Sequence, residues 1–338
     1  MQKREEDRSM LMMNFDLRLA PFSTNDAALH YRTAIEMTAF ADEIGMDRVQ
    51  VSEHHVTEDC YNPAPIAMLG AMVACTRRTT INVGALLLNL HHPVKVAEDL
   101  AVLDILSGGR VRATIGLGYR EVEYQAFGAD WAGRGKLMDQ KLDMLLRALS
   151  GETVDCNGVP VRISPLPITP PRVLVALGGN SAAAGRRAAR FGLLFFPGPP
   201  DLDKSIPAYY EEAKRLGFAG GFAGGPTTQG EPGFVRRANA VTFISEDPAQ
   251  DWDLLEPYLA FEEQGYGAWG NDVMTSRGQA IRESGRYQIL TPEQAVAVYK
   301  ETGRMRLTPL AGGIPAAAGW RSLHLLRDKV LPHLDRPR

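Results

Sequence analysis

The chain lacks the features that mark secreted, membrane-spanning or nucleic-acid-binding proteins. Only three cysteines occur among its 338 residues, and their scattered positions fit a reducing cytosol better than a disulfide framework or a cysteine metal site. No apolar run approaches the roughly 18 residues that a membrane helix needs. The 37 basic and 40 acidic residues give a formal net charge of -3, which offers no basic surface for nucleic acid. The composition therefore predicts a cytoplasmic protein without membrane or nucleic-acid partners.

The first residues, Met-Gln-Lys-Arg-Glu-Glu-Asp-Arg, are charged and lack the apolar segment of a secretion signal. Residues 1–12 are therefore interpreted as a disordered extension. No segment has the composition of an interdomain linker, so residues 13–338 are predicted to form a single domain.

Apolar runs and amphipathic stretches alternate through the rest of the chain. Eight strands are predicted, each followed by a helix: Phe15–Leu19, Arg48–Ser52, Thr80–Leu88, Val111–Leu117, Arg172–Leu177, Leu193–Phe196, Asn239–Ile244 and Arg306–Leu310. In a chain of this length the pattern favours an α/β fold, a (β/α)₈ TIM barrel with loop insertions. A doubly wound sheet with a second domain is the alternative. Residues 217–233 and 265–290 are interpreted as insertions, the second as a mobile lid.

Two histidine pairs follow consecutive predicted strands. His54 and His55 come after the second strand, and His91 and His92 after the third. Active sites of (β/α)₈ barrels gather at the carboxyl ends of the strands, although a single histidine in such a place is more often structural. Because neighbouring residues of a strand point to opposite sides, one histidine of each pair is expected to face the barrel mouth.

A glycine-rich turn follows the fifth predicted strand. Gly178, Gly179 and Ser181 combine small residues, backbone N–H groups and a helix start, which together suit an anion such as phosphate. The alternative is that the glycines only turn the chain and Ser181 caps the helix.

A polar cluster follows the fourth predicted strand. Tyr119 and Arg120, with Glu123, are expected to project over the mouth, where a tyrosine and an arginine can cover a planar ring and its anionic edge. The alternative is an amphipathic turn anchored by Tyr124 and Phe127.

These segments together resemble the bacterial luciferase-like flavin-dependent monooxygenase superfamily, from about Phe15 to Leu334. The matching motifs are Glu53-His54-His55 with Thr57 and Glu58, Leu90-His-His-Pro-Val94, Ser107-Gly-Gly-Arg110, Gly116 to Gly128, Gly178-Gly-Asn-Ser181, and Pro309-Leu-Ala-Gly-Gly-Ile-Pro315. The resemblance implies a TIM barrel, usually a homodimer, that binds reduced FMN or the deazaflavin coenzyme F420.

By position, the resemblance makes His54 the catalytic base. It places a cis peptide between Gly84 and Ala85 under the flavin ring, and the phosphate at Gly178, Gly179 and Ser181. Gly116 stands where luciferase has its reactive cysteine, and Leu117 where it has a phosphate-contacting arginine. Light emission is therefore not expected.

The implied reaction is oxygenation of a small organic substrate by reduced flavin that a separate flavin reductase supplies. With coenzyme F420 the reaction would instead be hydride transfer. Two other classes stay open: a flavin-binding relative without turnover, and a metal-dependent barrel hydrolase. The hydrolase would use His54 or His55, His91 or His92, and Glu58 or Asp59.

Overall fold

The structure is a computed structural model, and it describes residues 10–198, 202–221, 238–268 and 281–334. Strands are β1 (Met10–Phe15), β2 (Arg48–Val51), β3 (Thr80–Leu87), β4 (Val111–Gly116), β5 (Val154–Cys156), β6 (Val159–Val161), β7 (Val175–Gly179), β8 (Leu194–Pro197), β9 (Val241–Ile244), β10 (Tyr287–Leu290) and β11 (Arg304–Leu307). Helices are α1 (Ala27–Glu43), α2 (Pro65–Ala74), α3 (Pro93–Ser107), α4 (Glu121–Ala126), α5 (Arg134–Leu149), α6 (Pro171–Leu174), α7 (Ala182–Arg190), α8 (Leu202–Arg215), α9 (Pro248–Ala268), α10 (Pro292–Thr302) and α11 (Ala316–Leu325).

The described residues fall into two compact units. The first unit contains residues 51–56, 64–198 and 202–221, and the second contains residues 10–50, 57–63, 238–268 and 281–334. The expectation of a single domain stays a prediction. No helix in the described ranges combines the length and the apolar character needed to cross a membrane.

The first unit is built on parallel strands in the order β3-β4-β7-β8. The sequences of these strands are mostly apolar, because helices cover the faces of a parallel sheet. Helix α3 shows how the sequence sets the element bounds: Pro93 occupies the first turn, and Gly108 ends the helix in the left-handed region at φ 66°. Such parallel strand and helix units bring the strand carboxyl ends, and the motifs that follow them, to one edge.

The second unit has parallel β10-β9, β9-β11 and β11-β1 pairs. Its core joins β9 and β10 to helix α9 through Val241, Phe243, Tyr287, Ile289, Leu255, Tyr258 and Leu259. The strands and helices of both units confirm the predicted α/β class.

A close approach between β3 and β4 shapes the middle of the first unit. The peptide between Gly84 and Ala85 is cis, and the register of β3 against β4 shifts there, so the predicted cis bulge is confirmed. A Cβ atom added at Gly116 would lie 2.6 Å from Ala85 Cβ. Residue 116 must therefore be glycine while Ala85 keeps its methyl group, which explains in this chain why no larger side chain stands there.

Several predicted bounds are wrong. Strand β1 begins at Met10, so residues 10–12 belong to a buried strand and not to a disordered extension. Residues 171–174 are helical, and β7 begins only at Val175. Short strands and turns explain these errors, because four or five residues carry too little periodicity to fix an element.

Two predicted loops contain regular structure. The proline-rich crossover at 153–171 holds the hairpin β5–β6, whose turn has Asn157 and Gly158 at positive φ. The predicted lid at 265–290 is wrong at its ends, where residues 265–268 extend α9 and residues 287–290 form β10. Residues 269–280 of that lid, and residues 222–233 of the other predicted insertion, lie outside the described residues.

The Gly116–Ala85 contact predicts a reciprocal pair of substitutions. Gly116→Ala should lower the free energy of unfolding by about 1–3 kcal/mol, because the added methyl group overpacks the bulge. Adding Ala85→Gly should restore most of that loss, which urea unfolding of the single and double variants can measure. Gly70→Ala is the control, since its nearest neighbour is 3.9 Å away and alanine favours a helix. A Gly116→Ala variant as stable as the parent would contradict the packing account.

Candidate active site

His54 lies between a buried carboxylate and a tyrosine hydroxyl. Its Nδ1 is 2.8 Å from Glu123 Oε1, and its Nε2 is 3.0 Å from the hydroxyl of Tyr119. The three residues come from the turn after β2 and from the segment at the start of α4. Because these segments follow the carboxyl ends of β2 and β4, residues about 65 positions apart in the chain come together.

The Glu123 carboxylate is fully buried and holds its negative charge. Its Oε1 also accepts from the backbone N–H of His55 at 2.9 Å and from Arg120 Nη1 at 3.1 Å. Burial raises the pKa of Glu123, but the hydrogen bonds from His54 and His55 and the charge of Arg120 outweigh it and hold the pKa below its ordinary value. Since an ionised carboxylate only accepts, His54 Nδ1 must carry a proton.

A second buried carboxylate, Glu53, organises two further histidines. Its Oε1 lies 2.8 Å from His55 Nε2 and 2.5 Å from His91 Nε2, while Oε2 accepts from the backbone N–H of Leu87 at 2.6 Å. Burial raises the pKa of Glu53, and the bonds from His55 and His91 then lower it below its ordinary value. The two carboxylates therefore give His54 and His55 separate partners.

The sequence predicted that one histidine of each pair faces the barrel mouth, and the burial of the four rings differs from that prediction. His54 and His55 are both buried, and each contacts a different carboxylate. In the second pair, His91 is half-buried against Glu53, whereas His92 is exposed at the N-cap of α3.

Of the residues expected for a metal-dependent hydrolase, the structure brings His55 and His91 together. Glu58 is exposed, and Asp59 pairs with Arg18 in the second unit. The donor group that does form, in the described part of the chain, is Glu53, His55 and His91. Ligands at about 2.0 Å from one tetrahedral ion are roughly 3.3 Å apart. The 2.5 and 2.8 Å separations are hydrogen-bond lengths, so the group as arranged shares protons.

Arg120 is engaged in holding the 53–56 turn. Its guanidinium donates to the carbonyl oxygens of His55 at 2.5 Å and Val56 at 3.1 Å, in addition to Glu123. These contacts give Arg120 a role in holding the turn. They differ from the role that the sequence suggested, which was to cover the anionic edge of a planar ring.

The glycine-rich turn lies where the sequence predicted it, between β7 and α7. Ser181 caps α7, with its Oγ accepting from the backbone N–H of Ala184 at 3.2 Å. A Cβ at Gly179 would meet Ala184 Cβ at 2.4 Å, so this glycine is needed for packing of the helix on the strand. Asn180 and Ser181 are exposed, which leaves the helix start open to an anion.

Gly84 and Ala85 form a surface of small side chains on β3, in the same unit as His54. Gly84 and Ala85 are the half-buried residues of β3 between fully buried neighbours, so the bulge opens the strand surface. Ser52 donates its Oγ–H to the carbonyl of Gly84 at 3.1 Å, which ties the bulge to the segment after β2 that carries His54. The residues present thus fit a flavin: a small-residue surface for the ring and an open helix start for its phosphate.

Sequence reasoning missed the carboxylate partners. Glu53 and Glu123 lie inside the quoted motifs, but a glutamate next to a histidine in sequence does not show which ring it will meet. The signal available was that Glu53 directly follows one predicted strand and Glu123 lies six residues after another. A carboxylate that becomes buried there would be costly without donors.

The second unit contains a buried charge cluster that the sequence did not reveal. Arg18 Nε bonds Asp59 Oδ2 at 2.7 Å, and Nη1 donates to the carbonyl of Glu262 at 3.0 Å. Its guanidinium lies 4.8 Å from the ring of Tyr266. The Oδ2 of Asp16 is buried without a hydrogen-bond partner among the described residues. Burial and the charge of Glu262 raise the pKa of Asp16 to about 7, against the opposing effect of Arg18.

This pKa predicts how stability depends on pH. The pKa of Asp16 is higher in the folded protein, about 7, than its ordinary value of 3.8, so folding favours the protonated form. The stability that protonated Asp16 contributes to the folded protein is fully present below about pH 3.8 and is lost as the pH rises to about 7. Asp16→Asn should therefore gain thermal stability relative to the parent from pH 4 to pH 7. A difference in melting temperature that stays constant across this range would contradict the assignment.

Comparison with known families gives a match over most of the chain. A family described as luciferase-like monooxygenase matches residues 13–297. Limonene 1,2-monooxygenase of Rhodococcus erythropolis is 24% identical over 344 residues, covering 96% of this chain and 87% of that protein. The chain spans 58% and 59% of the length of two uncharacterised Sinorhizobium fredii proteins that it also matches.

Solved structures confirm the fold. The oxygenating constituent of 3,6-diketocamphane monooxygenase from Pseudomonas putida, in complex with FMN, superposes with a TM-score of 0.68 at 18% identity, covering 98% of this chain and 100% of that one. The coenzyme F420-dependent tetrahydromethanopterin reductase of Methanopyrus kandleri gives 0.61 at 14% identity, covering 96% and 99%. The predicted (β/α)₈ barrel class is confirmed by these likenesses.

Proposed function

The chain belongs to the luciferase-like monooxygenase family, and we propose that it uses reduced FMN, supplied by a separate flavin reductase, to oxygenate a small organic substrate. The observation that carries the proposal is the position of His54, held by Glu123 on one side and by Tyr119 on the other. Two residues earlier, Ser52 donates to the carbonyl of Gly84 at the cis peptide.

The residues divide the work of binding between two places. Gly84 and Ala85 would lie under the ring, where their small side chains leave room for it. Gly178, Gly179 and Ser181 would hold the phosphate through backbone N–H groups and the positive end of α7. When bound, the reduced flavin supplies the electrons that activate oxygen. The chain itself binds, orients and manages protons.

His54 would be the base of the reaction. With Nδ1 bound to an ionised carboxylate, the ring is fixed in the tautomer whose Nε2 can accept a proton, and the charged imidazolium that results faces Glu123. Such a positioned base contributes about 10²–10⁴-fold in rate.

A deazaflavin dehydrogenase is the second candidate, because the F420-dependent reductase shares the fold. The Glu53-His54-His55 motif followed by Thr57 and Glu58 is luciferase-like and favours FMN. The two candidates differ in whether oxygen enters the product.

Oxygen labelling tests the proposal directly. The protein, a flavin reductase, NADH and FMN are incubated under ¹⁸O₂ with limonene, an N-acetyl-S-alkylcysteine and an alkanal, which are the substrate classes that the names of relatives give. We expect one labelled oxygen atom in the product of at least one class, detected by mass spectrometry. Tight binding of coenzyme F420 but not FMN, with no label in any product, would overturn the proposal in favour of hydride transfer.

The phosphate position predicts a selective loss of affinity. Ser181→Asp keeps an N-cap acceptor for α7, so its melting temperature should stay near that of the parent. The added negative charge should repel the phosphate and weaken FMN binding at least about tenfold, or 1.4 kcal/mol, in a fluorescence titration. Riboflavin, which has no phosphate, is the matched ligand and should bind equally to both proteins. Equal weakening for both ligands would place the phosphate elsewhere.

Gly179→Val is not a clean test of the same site. Its side chain would clash with Ala184 in α7, so loss of flavin binding could follow from damaged packing alone.

A further inference from the structure

Tyr119 covers the ring nitrogen of His54 that a reacting ligand would need. Glu123 takes Nδ1, and the Tyr119 hydroxyl lies 3.0 Å from Nε2, with the two rings edge to face at 5.1 Å and 72°. A proton travelling from a ligand to Nε2 therefore meets the phenol oxygen first, unless Tyr119 moves away.

The two residues also differ in access. His54 is 5% exposed, whereas Tyr119 is 38% exposed. The phenol is thus the member of the Tyr119–His54–Glu123 chain that a ligand can touch, and the imidazole is reached through it.

We propose that Tyr119 is a catalytic residue that relays a proton between the bound ligand and His54. This inference rests on the proposed function, and it assigns Tyr119 a role different from stacking on a planar ring. Its phenol group would contact the reacting atoms, with His54 behind it as the proton acceptor and Glu123 as the group that orients His54.

The proton count balances in both directions. When the ligand gives up a proton, the Tyr119 oxygen receives it and the phenol proton passes to His54 Nε2. The products are a neutral tyrosine, an imidazolium and a deprotonated ligand. The reverse sequence returns one proton to the ligand. No lasting phenolate is needed, and the positive ring is stabilised by the ionised Glu123 beside Nδ1.

The Glu123 contacts support this direction of transfer. Its charge is maintained by three donors on Oε1, so it can stabilise a charged His54 ring without accepting the proton itself. A Tyr–His pair without such a carboxylate would have to create the imidazolium in a buried site without a counter-charge, which is costly.

Tyr119→Phe removes the relay and keeps the ring. The first readout needs no substrate: diethylpyrocarbonate modification of His54, located by mass spectrometry. Loss of the hydroxyl frees the Nε2 lone pair, so modification should be several-fold faster than in the parent. Tyr31→Phe is the control, because it deletes a tyrosine hydroxyl that donates to the Cys60 carbonyl at 3.0 Å in the second unit, and it should leave the rate at His54 unchanged.

The second readout is turnover of the compound that gives labelled product, in H₂O and D₂O. Tyr119→Phe should lower kcat about 10–100-fold, change the solvent isotope effect, and leave FMN affinity within about twofold. A variant that instead loses FMN affinity while keeping kcat would show that the Tyr119 hydroxyl binds the cofactor and transfers no proton, and the relay would be overturned.

His54→Ala separates failure of this inference from failure of the proposed function. If His54→Ala abolishes turnover while Tyr119→Phe keeps the parent kcat, isotope effect and modification rate, the relay is wrong and the base assignment stands. If His54→Ala turns over like the parent, the base assignment fails, and the relay fails with it.

Discussion

The arrangement of the candidate site depends on two buried carboxylates that must each find partners. Glu53 and Glu123 are withdrawn from water, and a buried negative charge without hydrogen bonds is costly. Histidine rings, backbone N–H groups and one arginine meet that requirement. Glu53 accepts hydrogen bonds from His55, His91 and Leu87, and Glu123 accepts them from His54, His55 and Arg120. The same bonds that stabilise the charges fix the rings, so folding of the strand ends and preparation of His54 for proton exchange are one event.

Backbone proximity supplies the second constraint. Ala85 and Gly116 approach so closely that a further methyl group has no room, and this contact keeps the β3 bulge seated on β4. Ser52 donates to the carbonyl of Gly84 in the bulge, and Glu53 accepts from the backbone N–H of Leu87 further along β3. A surface of small side chains follows from these contacts, which suits a flat cofactor ring.

The second unit solves a different electrostatic problem. Arg18 lies fully buried with Asp59, the carbonyl of Glu262 and an aromatic ring as neighbours. Asp16 gains less than Glu123: the backbone N–H of Arg18 donates to it at 3.2 Å, whereas three groups donate to Glu123, and Glu262 adds a like charge beside Asp16. Burial raises the pKa of all three carboxylates. The donors around Glu53 and Glu123 outweigh it and hold their pKa below the ordinary value, whereas the pKa of Asp16 stays raised. Partners, and not burial alone, therefore decide the charge state.

The sequence by itself determined the alternation of apolar runs and helices, and with it the α/β class. It also located the motifs at strand ends, because Pro93, Gly108 and the apolar β3 run act locally through backbone geometry. The family resemblance added the cis peptide at Gly84–Ala85. Pairing with distant strands decided the short strand β10 and the start of β1 at Met10. A stretch as short as four residues carries no local signal for such pairing.

Only the tertiary structure decided that His54 contacts Glu123 and Tyr119 while the ring of His55 contacts Glu53. Packing and the need for buried charges to find hydrogen-bond donors determine which residues about 65 positions apart become partners. The spacing of the residues in the sequence does not reveal either effect.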